Sequence, residues 1–214
     1  MVKKFSLSVL TSTLLLANSA GMFESGDVSG EVRGGYISID NSLDTSNAFA
    51  VGGHLKYETG DFNGLKFGTA VYTSQGAGLN GKDKNSELFS SKNESFSLLG
   101  EAYLDYTLNA FNIKAGRQVI DTPFANTDDI RMAPNLFEGV TASYKISDDL
   151  IFVAAYLDKW AGFDAGSPEK FVNLTADKGA IATALIYTGI TDTTLNLWYY
   201  DIDTLTSIAY TDAI

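Results

Sequence analysis

The chain has 214 residues, enough for one all-β domain, with a net charge of −11 and a sequence pI of about 4.4. That acidity argues against a nucleic-acid partner, which would need a basic patch. Cysteine is absent and His54 is the single histidine, so there is no disulfide framework, no thiolate metal site, no Cys nucleophile and no His-based catalytic or metal constellation. No metal and no cofactor is expected.

Residues 1–20 read as a signal peptide. Lys3 and Lys4 precede an apolar run from Val9 to Leu16, and Ala17, Ser19 and Ala20 supply the small residues of a cleavage site. The run is too short to span a bilayer as a helix, and no later segment is long and apolar enough to do so. Export to the periplasm is the expectation, leaving 21–214 as the folded part.

The mature chain then alternates apolar and polar residues, the period of strands. In the first strand Val28, Gly30, Val32, Gly34 and Tyr36 share one face, with Ser29, Glu31 and Arg33 on the other. The second sets Phe49, Val51, Gly53, Leu55 and Tyr57 against Ala50, Gly52, His54, Lys56 and Glu58. The third sets Leu65, Phe67, Thr69 and Val71 against Lys66, Gly68, Ala70 and Tyr72. The fourth sets Phe96, Leu98, Gly100, Ala102, Leu104, Tyr106 and Leu108 against Glu101, Tyr103, Asp105 and Thr107. The fifth sets Phe111, Ile113 and Ala115 against Asn112, Lys114 and Gly116, and the sixth sets Val140, Ala142, Tyr144 and Ile146 against Thr141, Ser143 and Lys145. Three later strands, about 150–158, 179–190 and 193–202, are apolar on both faces.

The connections alternate in length. GDFNG, Asn109-Ala110, Ser147-Asp148-Asp149 and Thr191-Asp192 are tight turns, whereas Asp40–Asn47, Ser74–Ser95, Val119–Phe137 and Asp158–Lys178 read as long loops. All turns at one end and all loops at the other is the layout of a transmembrane antiparallel up-and-down β-barrel, with short periplasmic turns and long extracellular loops. A soluble β-sandwich would also alternate. Two features weigh against it: the polar faces mix Gly, Ala, Ser and Thr with charges, and Tyr, Phe and Trp recur near strand ends as interfacial girdles do. Nine strands are expected, with a tenth barely begun at Ser207-Ile208-Ala209-Tyr210. Single-chain bacterial barrels have even strand numbers, and nine strands alone would leave open edges in lipid. The expectation is therefore the N-terminal part of a longer barrel.

The segment Gly116–Gly139 is the most distinctive. It is too long for a hairpin turn, yet holds two of the three prolines, three aspartates and two arginines. The series Gly116, Pro123, Asn126, Asp128, Asp129, Arg131, Pro134 and Phe137-Glu138-Gly139 resembles the OprD family of outer-membrane porins, most specifically in Arg131…Pro134…Phe137-Glu138-Gly139. The resemblance implies an 18-stranded barrel, of which this chain would be about half, admitting small, often anionic or zwitterionic solutes. It implies that the loop folds inward as a constriction, and that a ladder of basic wall residues faces acidic groups on it. Asp121, Pro123, Asn126, Asp128, Asp129, Arg131 and Pro134 are the candidate constriction residues. Arg33, Lys56, Lys66, Glu101, Asp105, Lys114 and Lys145 carry inward parity and are the candidate pore lining.

Arg117 breaks the pattern, because parity puts it on the lipid face. An interfacial position or a β-bulge that turns it inward would resolve the conflict, and the bulge is the expectation. His54 reads as a wall residue. Asp83, Glu87 and Glu94, interspersed with lysines in the second long loop, lack the spacing of a calcium site and read as a solvated loop. The functional expectation is a porin in a Gram-negative-type outer membrane, passively admitting small solutes such as amino acids, peptides or organic acids, with membrane lipid as its other partner and no enzymatic turnover; a homotrimer is compatible with it. A small non-channel barrel, acting as adhesin or structural membrane protein, is the alternative. A barrel lipase or protease would need a catalytic His, and no motif surrounds His54.

Overall fold

A computed structural model describes residues 21–40, 45–78, 80, 85 and 87–214. The signal-peptide expectation, and the loop residues Lys82, Asp83 and Lys84, lie outside the described residues. The strands are β1 (Asp27–Asp40), β2 (Thr45–Glu58), β3 (Leu65–Gln75), β4 (Phe96–Leu108), β5 (Phe111–Gln118), β6 (Leu136–Ser147), β7 (Leu150–Gly162), β8 (Ser167–Asn173), β9 (Ala180–Ile190), β10 (Thr193–Ile202) and β11 (Thr206–Ala213). They form one antiparallel sheet in the order β1-β2-β3-β4-β5-β6-β7-β9-β10-β11, with β8 paired to β7 off that path. No helix occurs among the described residues. Apart from β8, each strand is hydrogen-bonded to the next one along the chain, which is the up-and-down barrel wall read from the sequence.

Side-chain burial divides the sheet into two faces. Val32, Leu55, Val71, Leu104, Val140, Leu185 and Leu197 lie on one face and stay exposed, Leu55 at 65 % and Leu197 at 54 %. Large aliphatics left in the open along mid-strand positions are what a lipid-facing surface requires. On the opposite, inner face Ala48, Ala50, Ala70, Tyr72, Tyr103, Ala182, Trp198 and Tyr200 are buried. The inner face is itself divided. From β1 to β6 it carries the charges; across β7, β9, β10 and β11 it is apolar, with Ala182, Ala184, Trp198 and Tyr200 packed against Val153, Ala155, Ile208 and Tyr210.

Several expectations are corrected. The strand pair β1–β2 runs out to Asp40↔Thr45, so Asp40 and residues 45–47 of the expected connection Asp40–Asn47 belong to strands. The region Asp158–Lys178 is not a plain loop: β7 continues to Gly162 and hairpins back as β8, paired through Lys159↔Asn173 and Gly162↔Ser167. The barely begun tenth strand is β11, in register with β10 from Leu195↔Ala213 to Ile202↔Thr206. The fourth strand does not keep one face throughout. Ala70 pairs with Glu101 and Val71 with Leu99, so Gly100 is an extra residue and the pattern inverts there. Phe96 and Leu98 consequently point to the interior, at 7 % exposure each, while Leu99 is 45 % exposed. The bulge fixes Glu101 inward, opposite Ala70.

The bulge expected at Arg117 is absent from the register. Arg117 pairs with Ala102 and Glu138 without a shift. Its charge is met instead by Glu138 at 2.8 Å and by the Phe171 ring of β8, 4.4 Å from the guanidinium. Gly116 before it has φ +123°, and a Cβ there would stand 2.2 Å from the Ala102 carbonyl oxygen, so the tight β4–β5 approach requires glycine.

The lipid-facing assignment predicts the outcome of a charge placed on it. Leu197→Arg in the middle of β10 should cost about 2–4 kcal/mol, measured by denaturant unfolding of the protein from phospholipid vesicles. The same substitution at the rim residue Leu205 should cost much less.

Candidate functional site: the loop across the inner face

The segment between β5 and β6, residues 119–135, has no regular structure and does not stand away from the sheet. It is tied to the inner face on both sides of its point of origin. Ile120 packs with Phe137 and Leu157 at its base. A turn follows, in which Thr122 N–H donates to the Ala125 carbonyl (2.7 Å) and Ala125 N–H to Thr122 Oγ1 (3.1 Å). Pro123 sits at the second position of that turn, where its fixed φ is an advantage. The turn presents Phe124, edge-on, to Tyr200 of β10 and Tyr210 of β11, with ring centroids 5.3 and 5.5 Å apart.

Five residues later the chain is at the far side of the sheet. Asp128 adopts φ +35°, a conformation that Asp tolerates better than most residues. Asp129 then takes Arg33 of β1 in a two-pronged grip, Nη1 to Oδ1 and Nη2 to Oδ2, each 2.5 Å. Arg33 also donates Nη1–H to the Arg131 carbonyl at 2.8 Å, and Nε–H and Nη2–H to the two oxygens of Glu31, each at 2.9 Å. A guanidinium has five N–H donors, and these contacts use all of them. Arg131 is bonded to Glu87 at 2.7 Å and lies over the Phe163 ring at 4.3 Å. Met132 enters the cluster of Ile37, Ala48, Ala50, Leu88 and Phe89, and Pro134 is buried just after it. Asn135 closes the loop, donating its side-chain N–H to Asp164 Oδ2 at 2.7 Å and its backbone N–H to the Thr127 carbonyl at 2.6 Å.

This path also reports the curvature of the wall. From β1 to β10 there are eight interstrand steps, about 38 Å along the sheet. The chain from Phe124 to Asp129 spans at most about 17 Å. The chain alone covers less than half of that distance, and because Arg33 and Tyr200 point inward rather than along the sheet, the contacts at both ends reflect a sheet that curls around the segment.

Apart from Arg33, the inward wall charges of β2 to β5 meet one another rather than the loop. Lys56 pairs with Glu101 at 2.7 Å, Lys66 with Glu58 at 3.4 Å and Lys114 with Asp105 at 3.5 Å. Tyrosines complete the acids: Tyr72 O–H donates to Glu101 at 2.8 Å and Tyr103 O–H to Glu58 at 2.6 Å. Lys114 lies over the Tyr103 ring at 4.4 Å and Lys56 at 5.3 Å. His54 stacks on Tyr72, a wall residue as its parity indicates. Lys145 is apart from this array, bonded to Asp148 at the turn end.

The structure therefore brings Arg33 together with Asp129 and Arg131, and Lys56, Lys66 and Lys114 together with Glu101, Glu58 and Asp105. Among the described contacts, Asp121 and Asp128 are exposed and bond no wall cation. Sequence reasoning missed Phe124, Glu31, Glu58 and Tyr103 as site residues. Parity pointed Glu31, Glu58 and Tyr103 inward; Phe124, inside an irregular loop, had no such signal.

No family profile matches the chain, and no curated protein matches it either. Solved structures do. OccAB1 of Acinetobacter baumannii superposes with a TM-score of 0.74 at 18 % identity, over 92 % of this chain and 50 % of that one. OccK8 (OprE) of Pseudomonas aeruginosa gives 0.73 at 20 % identity, over 91 % and 51 %. OpdK of Pseudomonas aeruginosa, crystallised with vanillate, gives 0.73 at 17 % identity, over 90 % and 53 %. These are β-barrel porins of the OprD/Occ group, channels rather than enzymes, and the chain spans about half their length. It has their fold over that half.

Arg33 is predicted to hold the loop in place. Arg33→Lys keeps the charge but loses the planar fork, removing two or more charge-assisted bonds of about 1.5–3 kcal/mol each. Amide hydrogen exchange across 127–132 should accelerate about tenfold or more, whereas Lys145→Ala at the turn end should leave those amides unchanged.

Proposed function

We propose that the chain is the N-terminal part of an OprD-type outer-membrane porin, and that residues 119–137 form its inward constriction. The signal-peptide pattern at 1–20 would deliver it to the periplasm, and 21–214 would supply about half of the barrel wall. The observation that carries the constriction is the double anchorage of the loop, with Phe124 on Tyr200 and Tyr210 and Asp129 on Arg33. A strap fixed at both walls narrows the space between them, and a fixed strap discriminates where a mobile one would not.

The charge pattern refines the resemblance. A plain basic ladder opposed by an acidic loop would give a transverse field running from wall to loop. Here the wall lysines of β2, β3 and β5 are already paired with wall carboxylates. On the loop, Asp121 and Asp128 are exposed and bond no wall cation among the described residues. The local field at the constriction should then favour cations and the ammonium end of zwitterions. Passive diffusion of small polar solutes fits this arrangement. The solved relative bound to vanillate suggests that organic solutes of that size pass through this kind of barrel.

In planar bilayers the full-length protein is expected to give stable channels. Asp128→Asn combined with Asp129→Asn should raise the conductance and move the reversal potential in a salt gradient toward anion preference. Unchanged conductance and selectivity in that double variant would remove the constriction from the reading. Absence of any channel would remove the porin itself.

A further inference from the structure

Beneath the Pro123–Asn126 turn, on the apolar half of the inner face, lies a cavity of about 430 Å³. Phe124, Phe137, Trp160 and Tyr200 line it, with Leu157 and Ala182 beside them. Phe137 and Trp160 are stacked with centroids 6.4 Å apart, and Phe124 meets Tyr200 edge to face at 5.3 Å. Phe124 is nonetheless 51 % exposed. An open phenyl ring beside an aromatic-walled hollow of this size, inside a wall that elsewhere carries ion pairs, has the composition of a small-molecule site. One charged side chain lines the cavity, the exposed carboxylate of Asp164. Its Oδ2 accepts the Asn135 side-chain N–H at 2.7 Å, which orients the group. Asn126 and Asn135 add neutral polar atoms to the lining, and no cation lines the cavity among the described residues.

We propose that this cavity is a subsite for small aromatic amines: the ring lies among Phe124, Phe137, Trp160 and Tyr200, and the ammonium group pairs with Asp164. An aromatic carboxylate would bring a second negative charge to Asp164 with nothing to neutralise it. An aliphatic amine would make the ion pair but leave the aromatic walls unfilled. The ammonium also gains from the ring faces around it. The inference deepens the porin reading, since it gives the solutes of that channel a chemical class and a stopping place beside the constriction.

The test is calorimetric titration of the full-length, detergent-solubilised protein with 2-phenylethylamine, phenylacetate and n-butylamine. The expectation is that 2-phenylethylamine binds at least about tenfold more tightly than either of the others. Asp164→Asn should weaken it about tenfold and abolish its advantage over phenylacetate. Phe124→Leu, which keeps an apolar anchor against Tyr200 and Tyr210 but removes the ring, should weaken 2-phenylethylamine while leaving the weak binding of n-butylamine unchanged. Heat-modifiable gel mobility verifies that each variant is folded. Phenylacetate binding as well as 2-phenylethylamine, or affinity independent of both Asp164 and Phe124, would overturn the proposal, as would no binding at millimolar concentration. Because the readout is binding, its result is separable from the channel: selective binding without conductance would sink the porin and keep the subsite, and conductance without selective binding the reverse.

Discussion

The interior depends on one side chain. Arg33 stands on β1 with 13 % of its side chain exposed, and a guanidinium that far from water must have every donor occupied. Glu31, two residues along the same strand, can satisfy only one edge of the fork. The other edge needs a carboxylate and a carbonyl at a fixed separation, and Asp129 and the Arg131 backbone provide them. The loop is thus held across the inner face because the cation on β1 has no equivalent partner in its own wall. Lysine could not serve, having a point charge in place of a fork.

The remainder of the charged wall follows a different rule. Glu101 is 2 % exposed and lies between Lys56 and the Tyr72 hydroxyl; Glu58 lies between Lys66 and the Tyr103 hydroxyl. Each carboxylate accepts from one cation and one phenol, and Lys56 and Lys114 rest against the Tyr103 ring. Burying a charge costs several kcal/mol unless it is both paired and hydrogen-bonded, and this arrangement meets both conditions without using the loop. The wall is locally neutral as a result, whereas Asp121 and Asp128 on the loop are exposed and, among the described contacts, bond no wall cation.

Much of the fold is legible in the sequence because lipid imposes a simple demand. One face of each strand must be apolar at every second residue, and the pattern in β1, β2, β3, β5 and β6 is found as read. The failures have local causes. A bulge at Gly100 inverts the alternation within β4, and the sequence on either side remains apolar at every second position, so period alone cannot detect the phase change. The β8 hairpin is short, begins at Ser167-Pro168 and carries Glu169 and Lys170, and it resembles loop composition because it pairs with β7 alone. Arg117 looked anomalous because parity is a two-state description. Glu138 from the next strand and Phe171 from β8 supply a third possibility, in which a cation at the strand end is neutralised where it stands. The pairing of residue 33 with residue 129 leaves no local trace at all, since nothing in the neighbourhood of either names the other.

The loop's own composition becomes intelligible once its two anchors are known. A wholly polar strap could be held at β1 but would have no purchase on the apolar strands β9 to β11; a wholly apolar one would collapse onto them. The segment instead places one aromatic residue, Phe124, and one carboxylate, Asp129, five positions apart, each facing the half of the wall whose chemistry it matches. The residues between them are small or polar, Ala125, Asn126, Thr127 and Asp128, which suits a stretch that must cross water. Ordering such a segment costs about 1–2 kcal/mol per residue, and the crossing itself makes few contacts to offset it. The anchors must therefore supply the stabilisation, and the prolines reduce what is needed by restricting the unfolded chain. Curvature and anchors then go together: two points eight interstrand steps apart along the wall are joined through five residues because the sheet curves around them.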